Sequence, residues 1–202
     1  MQPAGIILAG GEARRMGGRD KPLLELAGKP LMGHIVERLS PQVSSLAISA
    51  NGDPERFSRF ALPVLPDDTP MGPLSGVLSG MDWAASLENP PRQIVTIAGD
   101  TPFVPRDLVL RFDIAAEGEA ERIVLATSNG RRHPTICLWP VSLRHALRRW
   151  LAESESSKVL GFIHRHDFSL ADFQTAEDAD PFFNINTPED LEAARIRAED
   201  ES

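Results

Sequence analysis

Gly5-Ile6-Ile7-Leu8-Ala9-Gly10-Gly11-Glu12-Ala13-Arg14-Arg15-Met16-Gly17-Gly18-Arg19-Asp20-Lys21 is the stretch on which the reading of this chain turns. An apolar run of strand length breaks into a loop of glycine pairs and cations. Such glycines bring successive backbone N–H groups up to an anion without Cβ interference, and Arg15 and Lys21 can neutralise charge at fixed points. The loop is therefore suited to holding a polyphosphate. Two familiar phosphate loops do not fit it. A Walker A loop requires a Gly-Lys-Ser/Thr tripeptide, which the segment lacks. A dinucleotide fingerprint requires G-x-G-x-x-G, whereas here adjacent glycine pairs are separated by the run from Glu12 to Met16.

The remainder of the chain narrows the class of ligand. A length of 202 residues suits one domain with a full core, expected over 1–198, followed by a short disordered acidic tail at 199–202. A formal net charge of −8 argues against broad affinity for nucleic acid or anionic membrane. Against that background the cationic cluster Arg14, Arg15, Arg19, Lys21 and Lys29 points to a small anion. Cys137 is the sole cysteine, which excludes an intrachain disulfide and a cysteine-rich zinc site and fits a reducing compartment. Met1 leads directly into a strand-like run, with no charged leader and no apolar stretch of membrane-spanning length, so a cytoplasmic protein is expected.

Apolar runs of strand length occur at Gly5–Ala9, Leu46–Ala50, Gln93–Ala98 and Ile123–Ala126. Helical spacing between them, as in Leu74, Val77, Leu78, Met81 and Ala85, predicts a three-layer α/β/α fold with a predominantly parallel sheet. Ligands in such sheets sit beyond the carboxyl ends of the strands. That rule places the Gly10–Lys21 loop, Ser49-Ala50-Asn51-Gly52 and Gly99-Asp100-Thr101-Pro102 along one rim. In the second half, His133–Leu138 reads as a strand able to run antiparallel, and Val141–Leu151 as a helix facing inward through Leu143, Leu147, Trp150 and Leu151. Thr187 as N-cap, Pro188 at the first helical position and acidic Glu189 and Asp190 announce a last helix.

Asp100 is the strongest single candidate for a metal ligand, since a carboxylate that follows a strand and a glycine is carried to the rim. A hard oxygen ligand beside nucleotide phosphates suits Mg²⁺. Alternation in Phe183-Asn184-Ile185-Asn186 predicts a short strand with both amides on one face, ahead of the capped helix. Two amides near a helix N-terminus can order water around a metal or receive a phosphate, although capping alone also explains Thr187. Asp67 and Asp68 can accept the paired N1–H and N2–H donors of guanine or act as ordinary turn residues. His133 can touch a ligand or remain solvated. No G-x-S-x-G elbow or H-E-x-x-H pair is present.

Taken in order, these stretches resemble the MobA family, the molybdenum cofactor guanylyltransferases. The supporting residues are Leu8-Ala9-Gly10-Gly11, Arg15-Met16-Gly17-Gly18 with Lys21, Leu23-Leu24-Glu25-Leu26, Gly28-Lys29-Pro30-Leu31, Asp67, Gly72-Pro73-Leu74-Ser75-Gly76, Asp100-Thr101-Pro102, His133-Pro134-Thr135 and Asn184-Ile185-Asn186-Thr187-Pro188-Glu189-Asp190-Leu191. The resemblance implies a nucleotidyltransferase-like fold and transfer of GMP from GTP to the terminal phosphate of molybdopterin, with pyrophosphate released. It implies nucleotide contact by Leu8, Ala9, Gly10, Gly11 and Asn51, phosphate contact by Lys21, guanosine contact by Asp67, and Mg²⁺ and GTP on Asp100. Arg15 matches a further loop cation, giving Arg15, Lys21 and Asp100 as catalytic residues. The pterin is expected near His133, Asn184 and Asn186, and transient contacts with other cofactor-biosynthesis proteins or molybdoenzymes are expected from the family. Ser49-Ala50-Asn51 departs from the family's Asn-Ala-Asn, so the first amide's contact is lost, water-mediated or taken over by Asn51.

Other readings compete. A molybdopterin cytidylyltransferase, or another nucleotidyltransferase of the same fold such as a sugar-phosphate enzyme, shares the loop, but cytidylyl enzymes tend toward Leu-Ala-Ala-Gly and toward aspartates at the positions of Asn184 and Asn186. A GTP-binding carrier or sensor without turnover would not require Lys21 and Asp100. A metabolite-binding α/β domain leaves the order of motifs unexplained.

Overall fold

The computed structural model describes residues 2–10, 20–67, 72–153, 158–174 and 180–200. Gly11 and Arg15, assigned above to the anion loop, lie outside the described residues, as does Asp68. The apolar opening run forms β1 (Ala4–Leu8), which pairs in parallel with β4 (Ser45–Ser49) on one side and β6 (Gln93–Ala98) on the other. A short β5 (Val64–Leu65) extends the parallel set beyond β4. Across β6 the sheet turns mixed. β8 (Arg131–Pro140) runs antiparallel to both β6 and β7 (Ile123–Ser128), and β9 (Phe168–Asp172) pairs in parallel with β7. The order β5-β4-β1-β6-β8-β7-β9 puts the glycine-loop strand among its parallel neighbours. β2 (Glu25–Leu26) and β3 (Lys29–Pro30) form a separate antiparallel hairpin.

Strand alternation decides the layers. Ile7, Ile48, Val95 and Val124 face a cluster completed by α1 (Leu31–Leu39) through Met32, Ile35 and Leu39, and by α3 (Leu108–Ala116) through Val109 and Phe112. Ile6, Ala47, Ile94 and Leu125 face the opposite cluster, covered by α2 (Pro73–Ser86), α4 (Arg144–Glu153) and α5 (Val159–Ile163). The result is the expected α/β/α sandwich. The predicted helix from Val141 begins as a 3₁₀ turn over Val141–Leu143 and becomes α-helical only from Arg144.

Helix α2 lies close on β1 because it presents glycine there. A Cβ at Gly80 would come within 2.6 Å of Ile6 Cγ1 and 3.0 Å of Ile6 Cδ1. Ile6 is fully buried and branched at the backbone end of its side chain, so it has little room to swing away. Alanine at an unconstrained helix position gains about 1 kcal/mol over glycine, whereas overpacking a filled core costs about 1–3 kcal/mol. Gly80→Ala is therefore expected to destabilise the protein by up to about 2 kcal/mol. A lowered urea midpoint at unchanged m would show this, and a raised midpoint would refute the close-packing argument.

Helix α6 (Pro188–Asp200) and the extended segment before it differ from the sequence reading in two ways. The segment 183–186 joins no ladder. Its Ile185 N–H donates to the Asp100 carbonyl at 3.0 Å, just past the end of β6, beyond the last residues of that strand paired with β1 and β8. The helix also continues through Glu199 and Asp200, which were expected in a frayed tail. Its start is fixed by reciprocal capping: Asp190 N–H donates to Thr187 Oγ1 at 3.1 Å, while Asp190 Oδ2 accepts from the Asn186 and Thr187 N–H groups at 2.8 Å each. Near its other end, the Arg197 guanidinium lies 3.9 Å from the Phe103 ring centroid and donates to the Asp180 carbonyl at 2.7 Å. These contacts anchor the late turns against the body of the fold.

Candidate active site

Because β1, β4 and β6 are parallel and in register, with Leu8 opposite Ser49 and Ala98, their carboxyl ends open on one rim. A cleft of about 810 Å³ lies along it, walled by Leu8–Gly10, Lys21, Ser49, Asn51, Asp67, Asp100 and Asn184. All three rim loops foreseen from the sequence meet there. The loops are held tightly: Ala9 N–H donates to the Ser49 carbonyl at 2.8 Å, and Gly99 N–H to the Leu8 carbonyl at 2.9 Å.

At the β6 end, Lys21 Nζ lies 3.7 Å from Asp100 Oδ2 and donates to Asn186 Oδ1 at 2.7 Å. Asn184 Nδ2 donates to Asp100 Oδ1 at 3.3 Å. Residues from the β1 loop, the β6 loop and the segment before α6 thus converge on one carboxylate. Burial pushes the Asp100 carboxyl above its ordinary pKa, with the Lys21 charge opposing the shift. The paired amides do share a site, as expected, although without a strand to carry them. Asn184 borders the cleft, whereas Asn186 acts on Lys21.

The donor set at this end is one carboxylate and one amide, both hard. Among the described residues no three His, Cys, Asp or Glu side chains converge. Such a set fits a divalent ion that takes most of its ligands from phosphate oxygens and water, and does not fit a closed protein cage.

The β4 end is organised around Asp67. Ser49, 2% exposed, donates from Oγ to Asp67 Oδ1 at 3.1 Å, and Asp67 N–H donates to Asn51 Oδ1 at 2.8 Å. Asp67 Oδ2 lies 3.9 Å from where a Cβ would stand on Gly10. Both Ser49 and Asn51 therefore hold Asp67, one at its carboxylate and the other at its backbone. The replaced amide has become part of the setting of an acidic side chain.

His133, expected on the substrate side, is instead buried at 6% exposure and does not border the cleft. Its Nε2 lies 2.7 Å from Ser128 Oγ, and that hydroxyl donates to Asp180 Oδ1 at 2.8 Å. A hydroxyl has one proton to give, so His133 Nε2 is the donor to Ser128. Burial lowers the His133 pKa, outweighing the nearby Asp180 charge, which keeps the ring neutral at physiological pH. The ring also packs on Phe182, with centroids 4.8 Å apart. His133 thus supports the chain that leads to Asn184, and Thr135, two residues further along β8, borders the cleft.

Two charged cleft residues were given no role in the sequence reading, Asp20 and Arg56. Arg56 stands in a 3₁₀ helix (Pro54–Phe60) on the loop after β4, where its only signal was being a cation shortly after Asn51. Its Nη2 donates to the Asn51 carbonyl at 2.8 Å, and its Nη1 forms an ion pair with Asp20 Oδ2 at 3.1 Å.

A mostly parallel sheet with a polar cleft beyond its strand ends, lined by Gly10 after the first strand, by a lysine and by an acidic rim residue, defines a nucleotidyltransferase-like α/β domain. Residues 5–168 match the model of the MobA-like NTP transferase domain, and the chain belongs to that family. It is 51% identical over 198 residues to a molybdenum cofactor guanylyltransferase of Mesorhizobium japonicum, covering 96% of this chain and 95% of that protein. A protein of the same name from Cereibacter sphaeroides is 50% identical over 194 residues, covering 96% of each chain. Among solved structures, molybdopterin-guanine dinucleotide biosynthesis protein A from Archaeoglobus fulgidus shares the fold at a TM-score of 0.76 and 21% identity, covering 98% of this chain and 99% of that one. A CMP:2-keto-3-deoxy-manno-octonic acid synthetase complexed with CTP shares it at 0.75 and 16% identity, with both chains fully covered. Among the described residues no helix is long and apolar enough to cross a membrane.

Proposed function

We propose that this chain transfers GMP from GTP to the terminal phosphate of molybdopterin, forming the guanine dinucleotide cofactor and releasing pyrophosphate. The observation that carries the reading is the division of one cleft into a Lys21–Asp100 end and an Asp67 end, in a chain about half identical to proteins named for this reaction. The nucleophile is a phosphate monoester, already anionic at neutral pH, so the reaction needs no general base.

The work left to the protein is positioning anions and neutralising charge. Lys21 holds GTP phosphates from the β1 side, with Arg15 as a further loop cation. Asp100, supported by Asn184, holds Mg²⁺, which when bound neutralises charge on the phosphates and on the departing pyrophosphate. Asp67 accepts the N1–H and N2–H donors of guanine, its carboxylate fixed by Ser49. Leu8, Ala9, Gly10 and Gly11 form the nucleotide-facing loop, and Asn51 contributes by placing Asp67. The pterin approaches past Thr135 and Asn184. The protein works in the cytoplasm as one domain and meets other cofactor-biosynthesis proteins or molybdoenzymes transiently.

Pyrophosphate release tests the proposal directly. Purified protein with Mg²⁺ and molybdopterin is offered GTP, CTP, ATP and UTP in parallel. Release with GTP alone is expected. Release with CTP would overturn the base assignment, and silence with all four despite GTP binding would favour a carrier or sensor.

A further inference from the structure

The loop after β4 holds a cation that the proposed chemistry leaves unused. Arg56 borders the nucleotide cleft with its side chain 31% exposed. Its guanidinium is placed from several directions: Nη2 on the Asn51 carbonyl, Nη1 beside Asp20, and the plane 4.6 Å from the Phe57 ring centroid. Asp20 Oδ2 and Arg56 Nε are both shielded from solvent, and neither makes a hydrogen bond, so charge and packing hold the pair rather than an aligned fork. Nη1 and Nη2 each carry a second N–H beyond these contacts.

Asn51 is the hub that relates this cation to Asp67. Its backbone carbonyl receives Arg56, and its side-chain carbonyl receives the Asp67 N–H. A cationic fork and a carboxylate therefore hang from one residue. Asp67 belongs to the β4 end of the cleft, whereas Lys21 and Asp100 mark the β6 end; β4 and β6 flank β1, a separation of about 10 Å at ordinary strand spacing. Arg56 is tied to the β4 end through Asn51 and, through Asp20, to the residue before Lys21, so a nucleotide with its phosphates at Lys21 and its base at Asp67 would pass it.

Guanine presents different groups along its two edges. A carboxylate suits the N1–H and N2–H donors, and a guanidinium suits the O6 and N7 acceptors, which it can take in bidentate fashion. Resting on the GTP reading above, we propose that Arg56 is a specificity-determining residue that donates to O6 and N7 of guanine while Asp67 accepts from N1–H and N2–H. The pair would reject adenine, whose 6-position carries a donor, and cytosine, which is too small to meet both groups.

Kinetics with altered bases test the assignment. Parent, Arg56→Met and Arg56→Lys proteins are assayed with GTP, 7-deaza-GTP, which lacks only the N7 acceptor, and ITP, which lacks only the 2-amino group. The parent is expected to prefer GTP over 7-deaza-GTP about tenfold in kcat/KM, one hydrogen bond's share of a bidentate contact. In Arg56→Met that preference should fall to about one, while the penalty against ITP persists because Asp67 is untouched. Arg56→Lys retains a charge beside Asp20 and donors able to meet N7, so it should recover part of the preference that Arg56→Met loses. A 7-deaza preference retained in Arg56→Met, or absent from a parent that uses GTP, would overturn the assignment and leave the guanylyltransferase reading standing. A parent that uses CTP in place of GTP would overturn both.

Discussion

Replacing Asp100 by asparagine is expected to lower turnover by about 10³-fold while leaving the melting temperature at or above that of the parent. The two effects share one cause. Asp100 sits at the end of β6 with its carboxylate largely withdrawn from water, beside Lys21 and Asn184. In the proposed site this negative charge serves the divalent ion that accompanies the triphosphate, and removing one preorganised electrostatic group of this kind costs about 10²–10³ in rate, more where a metal leaves with it. For the fold the same charge is a burden, because burial raises the carboxyl pKa above its ordinary value. Between the unfolded and folded pKa values the folded state binds more protons than the unfolded one. Stability from this group is therefore full below the unfolded pKa and is lost as pH rises through the folded pKa. Asparagine removes that loss, keeps the shape, and still offers an oxygen to Asn184. Lys21 forfeits a counter-charge but keeps its bond to Asn186 and some contact with water. Thermal melts at pH 5 and pH 8, run with the turnover assay, decide the matter. Asp100→Asn should gain on the parent as pH rises, and a marked loss of stability at pH 8, or retained turnover, would contradict the assignment.

Why Asp100 was legible from the sequence while Arg56 was not follows from what each position depends on. Asp100 follows a buried strand and a glycine, and parallel sheets deliver such residues to a rim whatever surrounds them. The same logic placed Gly10 and Asn51 on the rim and marked β1, β4 and β6 as strands, because each is buried on both faces and reads as a continuous apolar run, but the order of the strands left no mark in the sequence. Arg56 depends on a 3₁₀ turn, on Asp20 from another loop and on the Asn51 carbonyl, none of which leaves a periodic mark. His133 failed for a related reason. A histidine ahead of Pro134 reads as exposed until Ser128 and Asp180 are known to satisfy it, and Asp180 lies far along the chain. The paired asparagines were rightly placed together, but strand alternation was the wrong reason: backbone attachment at Asp100 and capping by Asp190 hold them. β5 has only two residues, too few for any pattern to register.

Lys21→Met is the second substitution expected to have a large effect, and it should change the shape of the pH profile as well as its height. Lys21 does two things at once. It presents a cation to the cleft at the foot of the glycine loop, held by Asn186 Oδ1 at 2.7 Å, and it lowers the pKa of the Asp100 carboxyl against the upward pressure of burial. On the proposed role, losing the cation removes a phosphate contact, for which a fall of about 10²–10³ in kcat/KM is expected. Losing its field leaves burial less opposed, so Asp100 holds its proton to higher pH and the ionised fraction at a given acidic pH falls. The acid limb of the rate profile should therefore move upward in Lys21→Met and return toward the parent in Lys21→Arg, which restores charge without the same approach to Asn186. Turnover in Lys21→Arg should recover only in part. If Lys21→Met loses turnover but keeps the parent's acid limb, Lys21 acts on the phosphates alone and the coupling to Asp100 is wrong. If Lys21→Met keeps turnover, the β6 end of the cleft is not where the transferred phosphate is held.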